Sequence, residues 1–387
     1  MQNLTLYELI EKFGNPDIII DHYQESIGYA IWGFDDVIQQ SDKINFYKLD
    51  QIIDKWSQCD NEISAVGFLN YNLKDYIYNH IHFKAHDNKF PLLWFVKPKK
   101  IIKYSINTSD NYSMYKNFTK LKHDILDVDE YKKVIEIIKN ELAYGNVYQV
   151  NMTMPKFYQL KDESLKYYLH IRRQAKPKCG YYINLGKQQI LSFSPETFFT
   201  LEDNTIKTYP MKGTIKRNQN KDQDQILKNQ LGNSEKDLAE HLMIVDLMRN
   251  DLGKICNFGT VAVQDLFQVN TYSTVHQMES CVYGKLKSNI KFTDIIQALF
   301  PGGSVTGAPK ESAMKIIDKI ENYSRDIYTG SIGYIKQNNI MNFNIAIRTM
   351  MVDNLLAKYP IGGGIVWDSN YKDEWDEAQL KSKILNE

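Results

Sequence analysis

Alternating and helical patterns of apolar residues are clearest in the last two thirds of the chain. Within residues 129–143 apolar residues recur at helical spacing and a glycine follows two positions later, which predicts a helix. Apolar and polar positions alternate across 147–154, which predicts a strand whose polar face carries Gln149, Asn151 and Thr153. The pattern alone favours a solvated face for these three side chains.

A second helix is predicted from Ser234 to Gly253, because Ser234 and Asp237 have the spacing of a capping box and apolar residues recur behind them. Asp237 and Glu240 are three positions apart and therefore share one face of this helix. Spacing of this kind is common on solvated helices, and Asp237 already has a capping role.

The last predicted helix covers residues 373–385, and Glu374 and Glu377 are again one turn apart. Magnesium binds one or two carboxylates and otherwise keeps water and substrate oxygens as ligands. Two acidic pairs on facing helices can therefore hold this ion. Spacing alone favours the simpler interpretation, in which these acids decorate the surface.

Two glycine-rich segments are candidates for close contact between backbone and ligand. Residues 301–310 precede a predicted helix and can present N–H groups to a small carboxylate or phosphate. This segment is not a nucleotide-binding P-loop, because Ala308 and Pro309 separate Gly307 from Lys310. The run Gly362, Gly363 and Gly364 either admits a ligand or forms a tight turn.

Composition excludes several classes of protein. The 387 residues are 43% hydrophobic and 24% charged, as in a globular protein, and 47 basic residues balance 47 acidic ones. A general nucleic-acid binder needs a net positive field, so we expect none. The first residues do not have the pattern of an export signal and no apolar run is long enough to span a bilayer, so we expect a soluble, cytoplasmic protein with no membrane partner.

The four cysteines are far apart in sequence and form no C-x-x-C pair, so we expect reduced packing residues and no zinc or disulfide site. The first 120 residues contain short apolar runs separated by polar turns, which predicts a strand-rich segment. A polar stretch around 110–113 predicts a linker or a long loop.

These separate features occur in the order found in one protein family. The matching segments are 145–151, Ser194-Pro195-Glu196, 209–214, 239–251, Val275-His276-Gln277, 301–310, Tyr328-Thr329-Gly330, 346–349 and 362–369, followed by Glu374 and Glu377. The chain thus resembles the chorismate-utilising enzymes over roughly residues 128–385. Within that family it is most similar to component I of the aminodeoxychorismate synthases.

The resemblance implies an α+β fold in which two large, mostly antiparallel β-sheets stack in one domain with helices outside and a cleft between them. Residues 1–120 would be an N-terminal strand-rich segment of the same fold. Residues 121–387 would form the chorismate-binding catalytic core.

The resemblance also implies a substrate site and a magnesium site. Arg348 would bind a carboxylate in bidentate fashion. The remaining substrate-binding positions would be Gln149, Gly213, Thr214, Gly303, Ser304, Tyr328, Gly362, Gly363, Gly364 and Lys381. Magnesium would bridge Glu240 and Glu377 to a ring carboxylate of chorismate, with Asp237 and Glu374 as outer or water-mediated ligands.

Lys212 is the position that separates the reactions of this family. Anthranilate, isochorismate and salicylate enzymes resemble this stretch but carry alanine there, whereas aminodeoxychorismate synthases carry lysine. The resemblance implies that Lys212 is a nucleophile and Glu196 a general acid. His276 matches a histidine near the substrate ring, with a hydrogen-bonded core histidine as the alternative. Without the resemblance, Lys212 would be interpreted as a solvated loop lysine.

Three further expectations follow from the resemblance. Isochorismate and salicylate synthases have a lysine at the position of Gln149 to activate water, and an amide cannot act as that base. The alternatives are anthranilate synthase component I and a non-catalytic homologue that senses an aromatic amino acid near residues 21–26. No cysteine stands in a Gly-x-Cys-x-Gly turn, so a separate glutamine amidotransferase subunit would supply ammonia.

Overall fold

The computed structural model describes residues 4–58, 61–106, 118–120, 126–272 and 275–385. The α-helices of these residues are α1 Leu6–Phe13, α2 Phe46–Ser57, α3 Lys74–Ile77, α4 Val128–Ala143, α5 Ser164–Ala175, α6 Lys221–Gly232, α7 Glu235–Ile255, α8 Phe292–Leu299, α9 Lys310–Ile320 and α10 Tyr371–Leu380. Short 3₁₀ turns cover Tyr71–Leu73, Gly303–Val305, Gln337–Asn339 and Lys381–Leu385.

Eighteen strands are formed by the same described residues. They are β1 Ile18–His22, β2 Ile27–Gln40, β3 Ile63–Leu69, β4 Leu93–Ser105, β5 Phe118–Lys120, β6 Gln149–Leu160, β7 Cys179–Asn184, β8 Gln188–Ser194, β9 Thr197–Glu202, β10 Thr205–Thr208, β11 Met211–Lys216, β12 Ala262–Thr271, β13 Val275–Lys285, β14 Gly307–Ala308, β15 Ser331–Lys336, β16 Met341–Ile345, β17 Thr349–Asp353 and β18 Leu356–Ile365.

The predicted helices form, with one correction at the end of the chain. The Asp127 side chain caps α4 by accepting from two backbone N–H groups of the first turn. Ser234 caps α7 by accepting from the N–H of Asp237 at 3.3 Å, and α7 continues to Ile255. The last helix ends at Leu380 rather than at 385, because the chain tightens into a 3₁₀ turn from Lys381.

Hydrogen bonds join the strands into one continuous, antiparallel network among the described residues. Its order is β5–β6–β18–β17–β8–β7–β1–β2–β4–β3–β15–β16–β9–β10–β13–β12, with β14 also beside β6 and β11 also beside β13. The N-terminal strands β1 to β4 occupy the middle of this order, between β7 and β15.

The two halves of this network face each other across a shared apolar core. Asn344 of β16 donates to the carbonyl of Cys179 in β7 at 3.3 Å. Lys336 of β15 donates to the hydroxyl of Tyr29 in β2 at 3.2 Å. The core between the halves contains alternate residues of β1, β2, β7 and β15. This arrangement confirms the predicted stack of antiparallel sheet layers.

Helices cover the outer faces. One outer core joins α1, α4, α5, α9 and α10 to β6, β8, β17 and β18. The other joins α2, α7 and α8 to β9, β10, β13 and β16. Ile19 lies in the first of these outer cores while its neighbours Ile18 and Ile20 face the inner core, as the period of two of a strand requires.

The predicted solvated face of β6 is wrong. Gln149, Asn151 and Thr153 are all buried, with exposed fractions of 0%, 7% and 1%. The backbone N–H and the hydroxyl of Thr153 both donate to Glu321, at 2.9 and 2.8 Å. Alternation identified which side chains share a face, but another part of the chain covers that face.

Three expectations on membranes, cysteines and the linker have the following outcomes. No helix among the described residues has the length and apolar character to cross a membrane. Cys179, Cys256 and Cys281 are free thiols, and the first two are buried. Cys59 and the stretch 110–113 lie outside the described residues.

Candidate active site

A bulge in β11 brings Lys212 to the boundary between the two sheet halves. The register of β11 against β13 shifts between Lys212 and Thr214, and Gly213 has φ of 74°. A Cβ atom on Gly213 would lie 3.0 Å from a methyl of Leu231 and 3.1 Å from an oxygen of Asp237. Glycine at this position therefore allows both the left-handed backbone and the close approach of α7. Thr214, which follows, is exposed.

The glycine run of β18 forms the opposite wall. Gly362, Gly363 and Gly364 pair with β6 as part of the strand, and they do not form a turn. A Cβ atom on Gly364 would lie 2.9 Å from the Lys212 amine and 3.0 Å from the amide carbon of Gln149. Because Gly364 has no side chain, the side chains of Lys212 and Gln149 can both pack directly against its backbone.

The surroundings of Lys212 favour its neutral, nucleophilic form. Burial lowers the pKa of the Lys212 amine, and the positive charge of Lys381 lowers it further, while the carboxylates of Glu240, Glu196 and Glu377 oppose the shift. The net change is a decrease, so the amine holds a free electron pair at lower pH than an ordinary lysine does.

Gln149 is completely buried, and neither its amide nitrogen nor its amide oxygen has a hydrogen-bond partner among the described residues. Leaving a buried polar group unbonded costs about 1–3 kcal/mol. Most of β6 is fully bonded in its ladder, so this amide is an exception in an otherwise satisfied strand. Its position beside Lys212 identifies a place where a ligand would supply the missing partners.

Glu196 lies at the junction between β8 and β9. It is 8% exposed, and the Ser304 hydroxyl in the 3₁₀ turn Gly303–Val305 donates to its carboxylate at 2.6 Å. Burial raises the pKa of Glu196 to about 7, while the Ser304 hydrogen bond and the charge of Lys212 act in the opposite direction. A carboxyl group with this pKa can donate a proton near neutral pH.

Arg348 occupies the junction between β16 and β17, opposite the junction that carries Glu196. Its carbonyl accepts from the N–H of Phe193 at 3.0 Å, and its φ of 50° is left-handed. The side chain is exposed and forms no hydrogen bond or ion pair with the described residues. A free guanidinium on a strained backbone can bind a substrate carboxylate in bidentate fashion.

The acidic residues of α10 surround the glycine run of β18. Lys381 donates to the carbonyl of Gly362 at 2.7 Å and lies 3.0 Å from the Glu377 carboxylate. A Cβ atom on Gly363 would lie 3.4 Å from Glu374. Burial acts to raise the pKa of Glu377, but the positive charge and hydrogen bond of Lys381 outweigh it and lower this pKa.

Glu240 of α7 completes the acidic set from the opposite wall. Burial raises the pKa of Glu240, and the negative charges of Asp237 and Glu377 add to the increase. Burial likewise raises the pKa of Glu374, whose carboxylate accepts from Ser369 at 2.7 Å. The carboxylates of α7 and α10 therefore lie close enough to repel each other.

No group of three or more His, Cys, Asp or Glu side chains converges as a metal site within the described ranges. Magnesium does not need such a group, because one or two carboxylates with water and substrate oxygens suffice. Glu240 and Glu377 fit this chemistry, because the negative charge of Glu377 raises the pKa of Glu240 and a bound cation would offset that repulsion. Asp237 and Glu374 are each one helical turn from one of these residues, as outer ligands would be.

The predicted catalytic His276 has protein partners for both ring nitrogens. It is 1% exposed, with one nitrogen 3.0 Å from Asp224 and the other 3.0 Å from the hydroxyl of Thr271. These contacts match the alternative of a hydrogen-bonded core histidine, and a catalytic role for His276 stays a prediction. Tyr328 is buried in the inner core between the sheet halves.

Sequence reasoning missed several buried polar residues near the site. His241 follows Glu240, is completely buried and shares a 2.7 Å hydrogen bond with Ser280. Burial lowers the pKa of His241 to about 4. Lys310, at the end of the glycine-rich segment 301–310, is paired with Asp251 of α7 at 2.7 Å. Spacing on a helix gave no signal for these tertiary contacts.

Comparison with known proteins identifies the family of the chain. The family model described as chorismate binding enzyme matches residues 15–387. The chain belongs to the family of chorismate-binding enzymes. The match includes both walls of the cleft and also β1 to β4.

Relatives in this chorismate-binding family have two different names at equal similarity. The chain is 38% identical over 260 residues to anthranilate synthase component 1 of Saccharolobus solfataricus, covering 67% of this chain and 62% of that protein. It is also 38% identical over 260 residues to aminodeoxychorismate synthase component 1 of Klebsiella aerogenes, covering 67% and 58%. The match thus spans about three fifths of the length of these relatives.

Solved structures support the fold of this chorismate-binding chain. Anthranilate synthase component I from Streptococcus pneumoniae has a TM-score of 0.81 at 22% identity, over 94% of this chain and 92% of that one. The menaquinone-specific isochorismate synthase of Escherichia coli has a TM-score of 0.77 at 17% identity, over 96% and 88%. Identities this low support the fold alone.

Proposed function

We propose that the chain is component I of an aminodeoxychorismate synthase, which converts chorismate and ammonia to 4-amino-4-deoxychorismate and water. The observation that carries this proposal is the position of the Lys212 amine. It lies against Gly364 and Gln149, with a lowered pKa and with Glu196 and Glu240 in its electrostatic surroundings. A partly buried amine with a lowered pKa is suited to attack on carbon.

The proposed reaction has two displacements. In the first, the Lys212 amine forms a bond to C2 of chorismate, the ring double bond shifts, and the C4 hydroxyl leaves. Glu196 donates the proton that converts this hydroxyl to water. In the second, ammonia forms a bond to C4, the double bond shifts back, the Lys212 amine leaves C2, and the ammonium formed at C4 returns a proton to Glu196. The lysine and the stereochemistry at C4 are thereby restored.

Other residues would bind and orient the substrate. Arg348 would bind one carboxylate, and the backbone of Gly213 and of the glycine run in β18 would contact the ring side. Gln149 would bond the ligand with its free amide. Glu240 and Glu377 would hold magnesium, with Asp237 and Glu374 as outer ligands, and the bound ion supplies positive charge to a ring carboxylate.

Anthranilate synthase component I is the second candidate, because relatives with that name are equally similar. That reaction places the amine at the ortho position and eliminates pyruvate. Lys212 favours the first candidate, since the resemblance implies alanine at this position in anthranilate enzymes.

An amino-acid-sensing homologue is disfavoured by the surroundings of Asp21. This carboxylate is completely buried and accepts from Arg172 at 2.8 Å, from Tyr168 at 2.6 Å and from Tyr104. It has no capacity left for the ammonium group of a ligand. The Gln149 amide beside Lys212, in contrast, has no partner among the described residues.

The proposal includes a partner and a compartment. A glutamine amidotransferase subunit would release ammonia for the second displacement, and both proteins would work in the cytoplasm. None of the described cysteines lies on a strand-to-helix turn of the kind that a glutamine-cleaving nucleophile uses, since Cys179 and Cys281 are strand residues and Cys256 follows α7.

Product analysis tests the proposal. The purified chain is incubated with chorismate, magnesium and ammonium, and the products are separated by chromatography. We expect 4-amino-4-deoxychorismate, and no product when glutamine replaces ammonium. Anthranilate would establish the second candidate, and isochorismate or salicylate would contradict both. Lys212→Ala serves as the control for background reaction.

A further inference from the structure

A buried ion pair outside the proposed reaction chemistry joins the segments that carry it. Arg325 and Glu321, which follow α9, are 2% and 5% exposed. The guanidinium makes two parallel bonds to the Glu321 carboxylate, at 2.8 and 2.7 Å. Among the described residues, neither Arg325 nor Glu321 forms a hydrogen bond or ion pair with the Lys212 amine or with the acidic pairs of α7 and α10.

Every donor of the Arg325 guanidinium is used. Beyond Glu321, it donates to the carbonyl of Asn151 at 2.7 Å, to the carbonyl of Val305 at 2.9 Å and to the hydroxyl of Thr329 at 3.3 Å. A guanidinium has five N–H donors in a fixed planar fork, so these five bonds fix its position and that of each partner.

Each partner of Arg325 is close in sequence to a site residue. Asn151 is two positions after Gln149 in β6. Val305 directly follows Ser304, whose hydroxyl bonds Glu196. Thr329 donates its N–H to the carbonyl of Ala346, two residues before Arg348. One side chain therefore sets the mutual positions of three segments from different parts of the chain.

The Glu321 carboxylate extends this linkage along β6. Besides Arg325, it accepts from both the N–H and the hydroxyl of Thr153. An apolar group of similar volume can replace a buried ion pair without loss of stability, so stability does not by itself account for such a pair. A five-donor fork, in contrast, imposes a geometry that an apolar contact does not.

We propose that Arg325 and Glu321 are positioning residues that hold Ser304 and the start of β6 in the arrangement needed for turnover. The proposal concerns the site of the proposed function and rests on it for the kinetic part of the test. Arg325 acts through Ser304 on Glu196 and through Asn151 on Gln149.

The test compares Arg325→Lys with a matched control, Arg172→Lys. Arg172 is also 2% exposed and bonded to a buried carboxylate, but its partners Asp21 and Tyr104 are not site residues. A lysine keeps the charge and loses the fork. Both variants are measured at a temperature where circular dichroism and urea titration confirm that they are folded, and consumption of chorismate is followed whatever the product.

We expect Arg325→Lys to lower kcat by about 10-fold to 100-fold, because displacing catalytic groups by an ångström has effects of this size. The KM for chorismate should change by less than about threefold, since Arg348 is free to bind as before. Arg172→Lys should keep both constants within about twofold. Equal losses of kcat in the two variants would indicate a merely structural role and overturn the proposal.

A double-variant cycle tests the route through Ser304. If Arg325 acts by holding this hydroxyl against Glu196, then Arg325→Lys combined with Ser304→Ala should lose little more than Arg325→Lys alone. If the double variant instead loses kcat by the product of the two single-variant factors, the two residues act independently, which contradicts the proposal.

A readout without turnover separates this proposal from the proposed function. The Glu196 carboxyl, labelled with ¹³C, is titrated by NMR in each variant. Glu196 faces Lys212 of β11, Glu279 of β13 and Lys178, and none of these contacts Arg325. Loss of the Ser304 hydrogen bond should raise the titration midpoint in both Ser304→Ala and Arg325→Lys, and leave it unchanged in Arg172→Lys. An unchanged midpoint in Arg325→Lys overturns the positioning role even if wild type consumes no chorismate, a result that would itself overturn the proposed function.

Discussion

Two polar clusters of this protein differ in how completely their groups are bonded. Around Asp21, in the N-terminal strands, the carboxylate accepts from an arginine and two tyrosines. Around Lys212, the neighbouring amide of Gln149 has no partner among the described residues, and Arg348, at the junction of β16 and β17, has a guanidinium that is free among them. The Asp21 carboxylate has its donors within the protein, although the Nε–H of Arg172 lacks a partner, whereas neither polar atom of the Gln149 amide has one among the described residues. Asp21 and Gln149 are both completely buried, so burial does not distinguish these two residues, but the missing partners of the amide do.

The largest expected effect is on Lys212. Lys212→Ala should lower chorismate consumption by at least about 10⁴-fold, as loss of a covalent nucleophile does. Without ammonia the second displacement cannot occur, so wild type should accumulate a lysyl adduct, and intact-mass spectrometry with peptide mapping should place it on Lys212. No adduct in wild type, under conditions where chorismate demonstrably binds, would reduce Lys212 to an electrostatic or general-base role.

A substitution in the Asp21 cluster should lower stability and leave activity almost unchanged. Asp21→Asn leaves the Arg172 charge buried without its counter-ion, which costs about 3–5 kcal/mol of unfolding free energy. Specific activity of the folded fraction should stay within about twofold of wild type. Urea denaturation and kinetics at low temperature measure the two quantities. A large loss of activity in folded protein would mean that the cluster also serves the site.

Removing one carboxylate of the metal site should have an intermediate effect. Glu240→Gln and Glu377→Gln keep the shape and remove a charged oxygen ligand, so activity at low magnesium should fall by about 100-fold, while saturating magnesium should recover part of it. Titration of activity against magnesium measures the shift. Wild-type magnesium dependence in both variants would show that the metal assignment is wrong.

The raised pKa of Glu196 predicts that the free energy of unfolding depends on pH. Its pKa is raised to about 7 in the folded chain, from 4.5 for an ordinary glutamate. The folded state therefore prefers the protonated group, and this stabilisation is lost as pH rises from about 4.5 through about 7. Glu196→Gln removes the dependence, so its unfolding free energy relative to wild type should increase by about 2–3 kcal/mol between pH 5 and pH 8. A difference that stays constant with pH would contradict the raised pKa.

The smallest effect separates function from stability at Gln149. Gln149→Leu replaces an unbonded buried amide by an apolar side chain of similar size, which should stabilise the fold by about 1 kcal/mol. Chorismate turnover should nevertheless fall, because the ligand loses a polar partner. Urea denaturation and steady-state kinetics on the same preparation test both signs. A loss of stability would indicate that the amide has a partner within the protein.

The sequence contained much of this arrangement but not its tertiary contacts. Helical periodicity and capping residues were sufficient for α4 and α7, because these signals are local. The burial of Asn151 and Thr153 was not predictable from alternation, since residues that cover β6, such as Glu321, come from more than 160 positions later. His276 could not be assigned either, because its partner Asp224 is set by the packing of α6.

The Lys212 site depended on resemblance rather than on pattern. Nothing local distinguishes this lysine from a solvated one, and its lowered pKa arises from burial and from the positive charge of Lys381, against the opposing carboxylates of α7 and α10. The last helix was predicted too long because the change to a 3₁₀ turn at Lys381 carries no break in polarity. The resemblance indicated which residues belong to the site. The fold shows the burial and neighbouring charges that change their pKa values.

The strand order has a consequence for synthesis of the chain. Leu69 of β3 pairs with Ser331 of β15, although more than half of the sequence separates them. While the ribosome is still making the intervening residues, the edge of β3 has no native neighbour on that side, and an open strand edge invites pairing with other chains. During translation, β3 therefore cannot pair with β15 until most of the protein has emerged. Nascent chains are exposed to aggregation in that interval, and chaperones would have to suppress it.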